Sequence, residues 1–210
     1  MNILFGIILQ SIIAAFAITE SGEVLADINS EQMLVPASNM KVITTGTALN
    51  RLGGDYRWET SIGYCGTVSD GVLHGDLYII GGADPTLGSP VSFAYPIEET
   101  FSKWVEFIRE AGIQKIEGSI IGDGRYIEGP MEDPTWLWED LGTYYGTGVN
   151  GLSFFENRKD FRVGPGSTVG SPVRIEDSYP KTPWMEYSYD GTTGNKNTGD
   201  QLYLYTTRLA

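Results

Sequence analysis

The sequence predicts a mixed α/β (α+β) fold, and three observations carry that prediction. Val42, Ile43, Leu49 and Leu52 recur at helical spacing in a proline-free run, 38–52, that closes at Gly53-Gly54. Residues 58–64 and 72–80 are short β-rich segments separated by glycines. Residues 97–111 place Phe101, Trp104, Val105 and Ile108 on one face of a second helix, which Gly112 ends.

The other elements follow along the chain. Residues 3–18 are strongly apolar, and Ala15-Phe16-Ala17 resembles a signal-peptidase site, but no Lys or Arg precedes the run. The stretch is also short for a membrane span. Residues 14–19 read better as a buried strand, Glu20-Ser21-Gly22-Glu23 as a hairpin turn and 24–28 as the returning strand. An export signal, if the protein has one, is then expected upstream of Met1. Residues 116–121 predict a strand that stops at Gly122-Asp123-Gly124, followed by an aromatic loop from Trp136 through Tyr144-Tyr145. The last fifty residues, rich in glycine and proline, predict short strands of a small β unit. The chain stops straight after a strand-like stretch at 201–207, so truncation is expected.

Composition excludes several functions. At 210 residues and a formal net charge of −13, the chain has no basic stripe to neutralise nucleic-acid phosphates or to hold an anionic membrane. The single Cys65 excludes an internal disulfide and a cysteine-based zinc site. His74 is the only histidine, in a glycine-flanked segment that reads as an exposed turn, so a Ser-His-Asp triad is uneconomical. No cofactor and no metal site are expected.

One motif carries chemistry. Pro36-Ala37-Ser38-Asn39-Met40-Lys41 sets a hydroxyl and an amine three residues apart at the start of a helix, where they share a face. An amine kept neutral by burial can take a proton from serine and make it nucleophilic without histidine. The helix start also offers N–H groups and a positive dipole end to a developing oxyanion. The S-x-x-K pattern is found in penicillin-binding proteins and β-lactamases, with two partner motifs. The alternative is that Ser38 only caps the helix and Lys41 is a solvated surface residue. Ser178-Tyr179-Pro180-Lys181 fits the same pattern, but Pro180 places it in a loop.

Three other features invite chemistry and have simpler readings. Gly81-Gly82-Ala83-Asp84-Pro85 lacks phosphate-loop spacing and reads as a turn capped by Asp84. Trp136, Trp138, Tyr144 and Tyr145 could stack on sugars, though buried aromatic packing is the commoner arrangement. Glu132, Asp133, Glu139 and Asp140 lack EF-hand spacing and read as a solvated acidic loop.

Several segments, in order, resemble the beginning of a class C low-molecular-mass penicillin-binding protein, a D-alanyl-D-alanine carboxypeptidase/endopeptidase. They are the Pro36 to Lys41 motif with its Ala48-Leu49 helix, and Gly75-Asp76-Leu77-Tyr78 leading to Gly82-Ala83-Asp84-Pro85-Thr86-Leu87. Glu117-Gly118-Ser119-Ile120-Ile121-Gly122-Asp123, Trp136-Leu137-Trp138-Glu139-Asp140, Tyr144-Tyr145-Gly146 and Gly151-Leu152-Ser153 through Asn157 complete the set. The resemblance implies a serine β-lactamase/transpeptidase-like domain interrupted after its nucleophile helix by a β-rich insert. Residues 1–60 would be the first piece of that domain and 61–210 the insert, with a small β subdomain from about 160. It implies Ser38 as nucleophile, Lys41 as base and Asp123 as a substrate-binding carboxylate for the free amino group of a stem peptide's third residue. It also implies peptidoglycan stem peptides ending in D-Ala-D-Ala as substrate, β-lactams as covalent inhibitors and an extracytoplasmic location.

The family's partner motifs are missing from these 210 residues. No Ser-x-Asn follows Ser38 and no Lys-Thr-Gly occurs; Lys196-Asn197-Thr198-Gly199 is one residue too long. The chain by itself is therefore expected to have little or no peptidase activity. A catalytically silent peptidoglycan-binding protein and a serine hydrolase of β-lactams or esters are the competing readings.

Overall fold

The computed structural model describes residues 14–199 and 201–203. Most of the apolar run at 3–18 and the end of the 201–207 segment lie outside them. The chain divides into two compact units between Tyr56 and Arg57. Helices and strands are both present, so the mixed class predicted from sequence holds.

In the first unit, β1 (Ala15–Ile18) pairs antiparallel with β2 (Val24–Ile28), with Ala15 opposite Ile28. The turn closes where the sequence places it: Thr19 N–H donates to Glu23 O and Gly22 N–H to Thr19 O. The strand prediction is met, but burial is not. Phe16 and Ile18 are each more than half exposed, because among the described residues no element packs over the hairpin's faces. A 3-10 turn, Ala37–Asn39, then feeds α1 (Met40–Leu52). Gly53 ends α1 at φ 81°, a left-handed conformation that glycine adopts freely, and its N–H donates to Leu49 O.

The second unit is organised around β4 (Val72–Ile80). It pairs antiparallel with β3 (Ser61–Ser69) through the Asp70-Gly71 turn, and parallel with β5 (Lys115–Glu117) and β6 (Ile120–Asp123). α2 (Ile97–Glu110) supplies the crossover and the cover. Leu73, Leu77 and Ile113 are buried, with Ile62, Val68, Ile108 and Ile116 packed against them. Each fully buried side chain of this kind contributes about 1.5–3 kcal/mol. Glu98 and Glu99 in the first turn of α2 and Arg109 in its last complement the helix dipole.

Three details depart from the sequence reading. The strand expected at 116–121 is two strands, because Asp76 Oδ1 accepts the Ser119 N–H at 2.8 Å and breaks the ladder at Gly118. His74 lies on β4 rather than in a turn, with Nδ1 3.1 Å from Glu117 Oε2. The β3 strand starts at Ser61, and residues 58–60 only lead into it.

The chain finishes with a hairpin, β7 (Asp160–Gly164) antiparallel to β8 (Arg174–Tyr179). It is tied into the same unit by side chains. Tyr179 donates its hydroxyl to Glu98 Oε1 at 2.9 Å, and its ring meets Phe155 edge-on at 5.0 Å. Residues 201–203 carry no strand. No helix among the described residues is long and apolar enough to cross a membrane.

Candidate active site

The structure brings Ser38 and Lys41 together, by local geometry. Ser38 lies in the 3-10 turn and Lys41 in the first turn of α1. Residues i and i+3 of a 3-10 turn are nearly eclipsed, so the two side chains stand one above the other. The Lys41 ammonium donates to Ser38 Oγ at 3.1 Å. Ser38 makes no cap to the helix: the N-cap residue of α1 is Asn39, and no side-chain cap bond forms there. The turn itself is closed by backbone, with Asn39 N–H donating to Pro36 O at 2.9 Å.

Two further features mark this turn. Ala37, immediately before Ser38, has φ 45°, a left-handed conformation that costs a residue with a Cβ. Sequence reasoning did not anticipate it, since alanine carries no signal for positive φ. Both Ser38 and Lys41 are exposed. In the second S-x-x-K, by contrast, the Lys181 ammonium turns to Asp177 Oδ1. That copy forms no serine–lysine pair, as its proline led us to expect.

Asp123 belongs to the second unit. It ends β6, opposite Ile80 across a parallel ladder, and Gly81 N–H donates to its carbonyl at 2.9 Å. Gly81 is required there: a Cβ would lie 2.1 Å from Gly151 O. The Asp123 carboxylate is gripped by one residue, Arg125. Its Nε donates to Oδ1 at 2.9 Å, Nη2 to Oδ2 at 2.6 Å, and its backbone N–H to Oδ1 at 3.0 Å. The guanidinium hydrogen bonds, helped by the backbone bond, hold the carboxyl at about 2. The sequence reading missed this partner; the Asp-Gly-Arg spacing was the only sign of it.

The other features singled out from sequence divide. Asp84 does cap its turn, accepting the Thr86 N–H and hydroxyl at 2.8 and 2.7 Å. The aromatic loop is only partly buried: Trp136 is half-buried, whereas Trp138, Tyr144 and Tyr145 are all more than 60% exposed. Among the described residues, no group of three or more His, Cys, Asp or Glu is arranged to hold a metal ion.

The chain as a whole is similar to known proteins. The chain is 27% identical over 141 residues to a D-alanyl-D-alanine carboxypeptidase of Actinomadura sp. (strain R39), covering 64% of this chain and 23% of that protein. It is 26% identical over 119 residues to the D-alanyl-D-alanine carboxypeptidase DacB of Haemophilus influenzae, covering 57% of this chain and 23% of the relative. The matched segments are thus about a quarter of those relatives' length.

Among solved structures, the fold is similar to penicillin binding protein 4 (dacB) from Haemophilus influenzae, with a TM-score of 0.63 at 23% identity. That match covers 74% of this chain and 32% of the other. A second structure of that protein, complexed with a novel β-lactam (CMV), matches with a TM-score of 0.53 at 21% identity, over 74% of this chain and 29% of the other. The profile of one family matches residues 8–203, nearly the whole sequence. The chain belongs to the D-Ala-D-Ala carboxypeptidase 3 (S13) family.

Proposed function

We propose that this chain is the nucleophile-bearing part of a serine D-Ala-D-Ala carboxypeptidase/endopeptidase that acts on peptidoglycan stem peptides outside the cytoplasmic membrane. The observation that carries the reading is the 3.1 Å contact between Lys41 Nζ and Ser38 Oγ. Family membership and the carboxypeptidase names of the two relatives support the reaction. The β-lactam complex of the structural relative supports β-lactams as inhibitors.

In this mechanism neutral Lys41 takes the proton of Ser38 as Oγ attacks the carbonyl between the two terminal D-alanines. The backbone N–H of Ser38, in the 3-10 turn that feeds α1, helps bind the oxyanion. Collapse forms the Ser38 ester, breaks the C–N bond, and passes the proton from Lys41 to the departing D-alanine. Water then hydrolyses the ester. A β-lactam stops at the ester because its leaving amine stays tethered. Asp123 binds the free amino group of the stem peptide's third residue, and Arg125 must release the carboxylate for that to happen. Residues 1–60 form the first piece of the transpeptidase-like domain and 61–210 its insert.

An amine is a base only when neutral, and desolvation is the usual means of making it so. Ser38 and Lys41 are exposed in this chain, and Ser-x-Asn and Lys-Thr-Gly are absent from it. The chain by itself therefore releases little or no D-alanine from a D-Ala-D-Ala peptide. The decisive test grafts residues 1–210 in place of the matching segment of the Haemophilus influenzae relative. A fluorescent penicillin should label the graft at Ser38, located by mass spectrometry, and Ser38→Ala should abolish labelling. Labelling that survives Ser38→Ala sinks the proposal.

A further inference from the structure

The Asp123 carboxylate and the guanidinium that grips it differ in their freedom to move. Asp123 is fixed through its backbone. Its carbonyl accepts the Gly81 N–H, and the next carbonyl, that of Gly124, accepts the Gly151 N–H at 3.1 Å. The chain segments cross there too closely for side chains. A Cβ on Gly124 would lie 1.9 Å from Asn150 Oδ1, and one on Gly151 would lie 2.4 Å from Gly124 O. Asn150 is itself held, its Oδ1 accepting the Leu152 N–H at 2.9 Å. The Asp123 side chain is 16% exposed, against 90% for Arg125. One member of the pair is built into the fold, and the other lies on its surface.

That asymmetry decides which member gives way. An exposed ion pair is worth little, because water solvates a departing guanidinium nearly as well as the carboxylate does. The Arg125 backbone N–H also bonds Oδ1, at 3.0 Å, and that bond does not depend on where the side chain points. The carboxylate therefore keeps its aim when the guanidinium swings out, as an oriented acceptor for another cation. The charge of the following chain favours one. Residues 126–157 carry Glu128, Glu132, Asp133, Glu139, Asp140 and Glu156, and no Lys or Arg.

We propose that Arg125 is an intramolecular latch on the Asp123 site: its guanidinium takes the place of a ligand's ammonium group and must be exchanged for it. This rests on the proposed role of Asp123 in binding the amino group of a stem peptide. A solitary amine has to displace a guanidinium tethered two residues away. An ammonium on a peptide held at its other end competes at high effective concentration. Arg125 thus sets the selectivity of the site without contributing to the nucleophilic step at Ser38.

The test uses the 210-residue chain and two peptides: Nα-acetyl-Lys-D-Ala-D-Ala with a free side-chain amine, and the same peptide acetylated on that amine. NMR titration follows the Asp123 carboxyl carbon and the Arg125 Nε–H. The free-amine peptide should shift both signals, and the acetylated peptide neither. Arg125→Ala should bind the free-amine peptide roughly two- to fivefold more tightly, the worth of an exposed ion pair, and the acetylated one unchanged. Arg125→Lys, which keeps the charge but loses the planar fork, should fall between. Asp123→Asn should remove the preference for the free amine. If neither the chain nor Arg125→Ala prefers the free amine, Asp123 is not an amine site, and the latch falls with that reading. If the preference exists and depends on Asp123, two results overturn the latch alone: Arg125→Ala binding the amine no better, or an Nε–H signal that stays in place while the carboxyl shifts.

Discussion

The two units of this chain hold their candidate site residues by different means. In residues 14–56 no described residue is buried, and apolar side chains stand in the open: Val42 on α1 is 73% exposed. Yet Ser38 and Lys41 still meet, because three residues of 3-10 turn suffice to align them. In the unit from Arg57 onward, Leu73 is fully buried and β4 is paired on both edges. Asp123 reaches its position only because β6 is in register with β4. Reactive geometry can therefore be written locally, while burial requires non-local packing.

The largest expected effect probes the local half of that contrast. In the grafted enzyme, Lys41→Met should slow penicillin acylation by roughly 10²–10⁴-fold, the usual worth of a general base. Lys181→Met, at the other S-x-x-K, should leave the rate unchanged. Equal losses in the two would show that the Ser38 turn has no special role.

The non-local half is tested by stability. All five tryptophans lie beyond residue 57, so their fluorescence reports unfolding of the second unit alone. In the 210-residue chain, Leu73→Ala should cost about 2–5 kcal/mol in urea denaturation followed this way. A cost below about 1 kcal/mol would mean that the cluster around Leu73 and Ile113 is not what holds the sheet.

A smaller effect concerns Asp123. Its carboxyl at about 2 lies below the unfolded value of about 3.9, so the ion pair stabilises the fold above pH about 4. That contribution fades as the pH falls through about 2. In Arg125→Ala, carboxyl carbon shifts in NMR should place the midpoint back in the ordinary carboxylate range. A midpoint that stays near 2 would assign the shift to something other than the guanidinium.

The smallest effect is expected on α1. Val42→Ala should change chain stability by no more than about 0.5 kcal/mol, as for other exposed sites, and α1 amides should exchange much faster than those of β4. Equally slow exchange in α1 and β4 would break the comparison outright.

Legibility follows the same division. The Ser38 turn, α1 with its Gly53 stop, the first hairpin and α2 were readable because each depends on neighbours within a few residues. The break between β5 and β6 was not, since it is made by Asp76, forty-three residues before Ser119. The aromatic loop was misread as packed because ring-rich segments resemble core segments in sequence, and only the solvent around Trp138 and Tyr144 separates the two. The Arg125 grip on Asp123 lay between, two residues apart but unsigned by any propensity.

The sequence by itself determined the mixed class, the pairing of Ser38 with Lys41 and the rejection of Ser178 with Lys181, because hydrogen-bond spacing and proline sterics act over a single turn of chain. Only the tertiary structure decided which apolar residues were buried, where the 115–123 strand broke and which carboxylates were already engaged. Those outcomes depend on which distant segments arrive beside each other, and no local pattern encodes that.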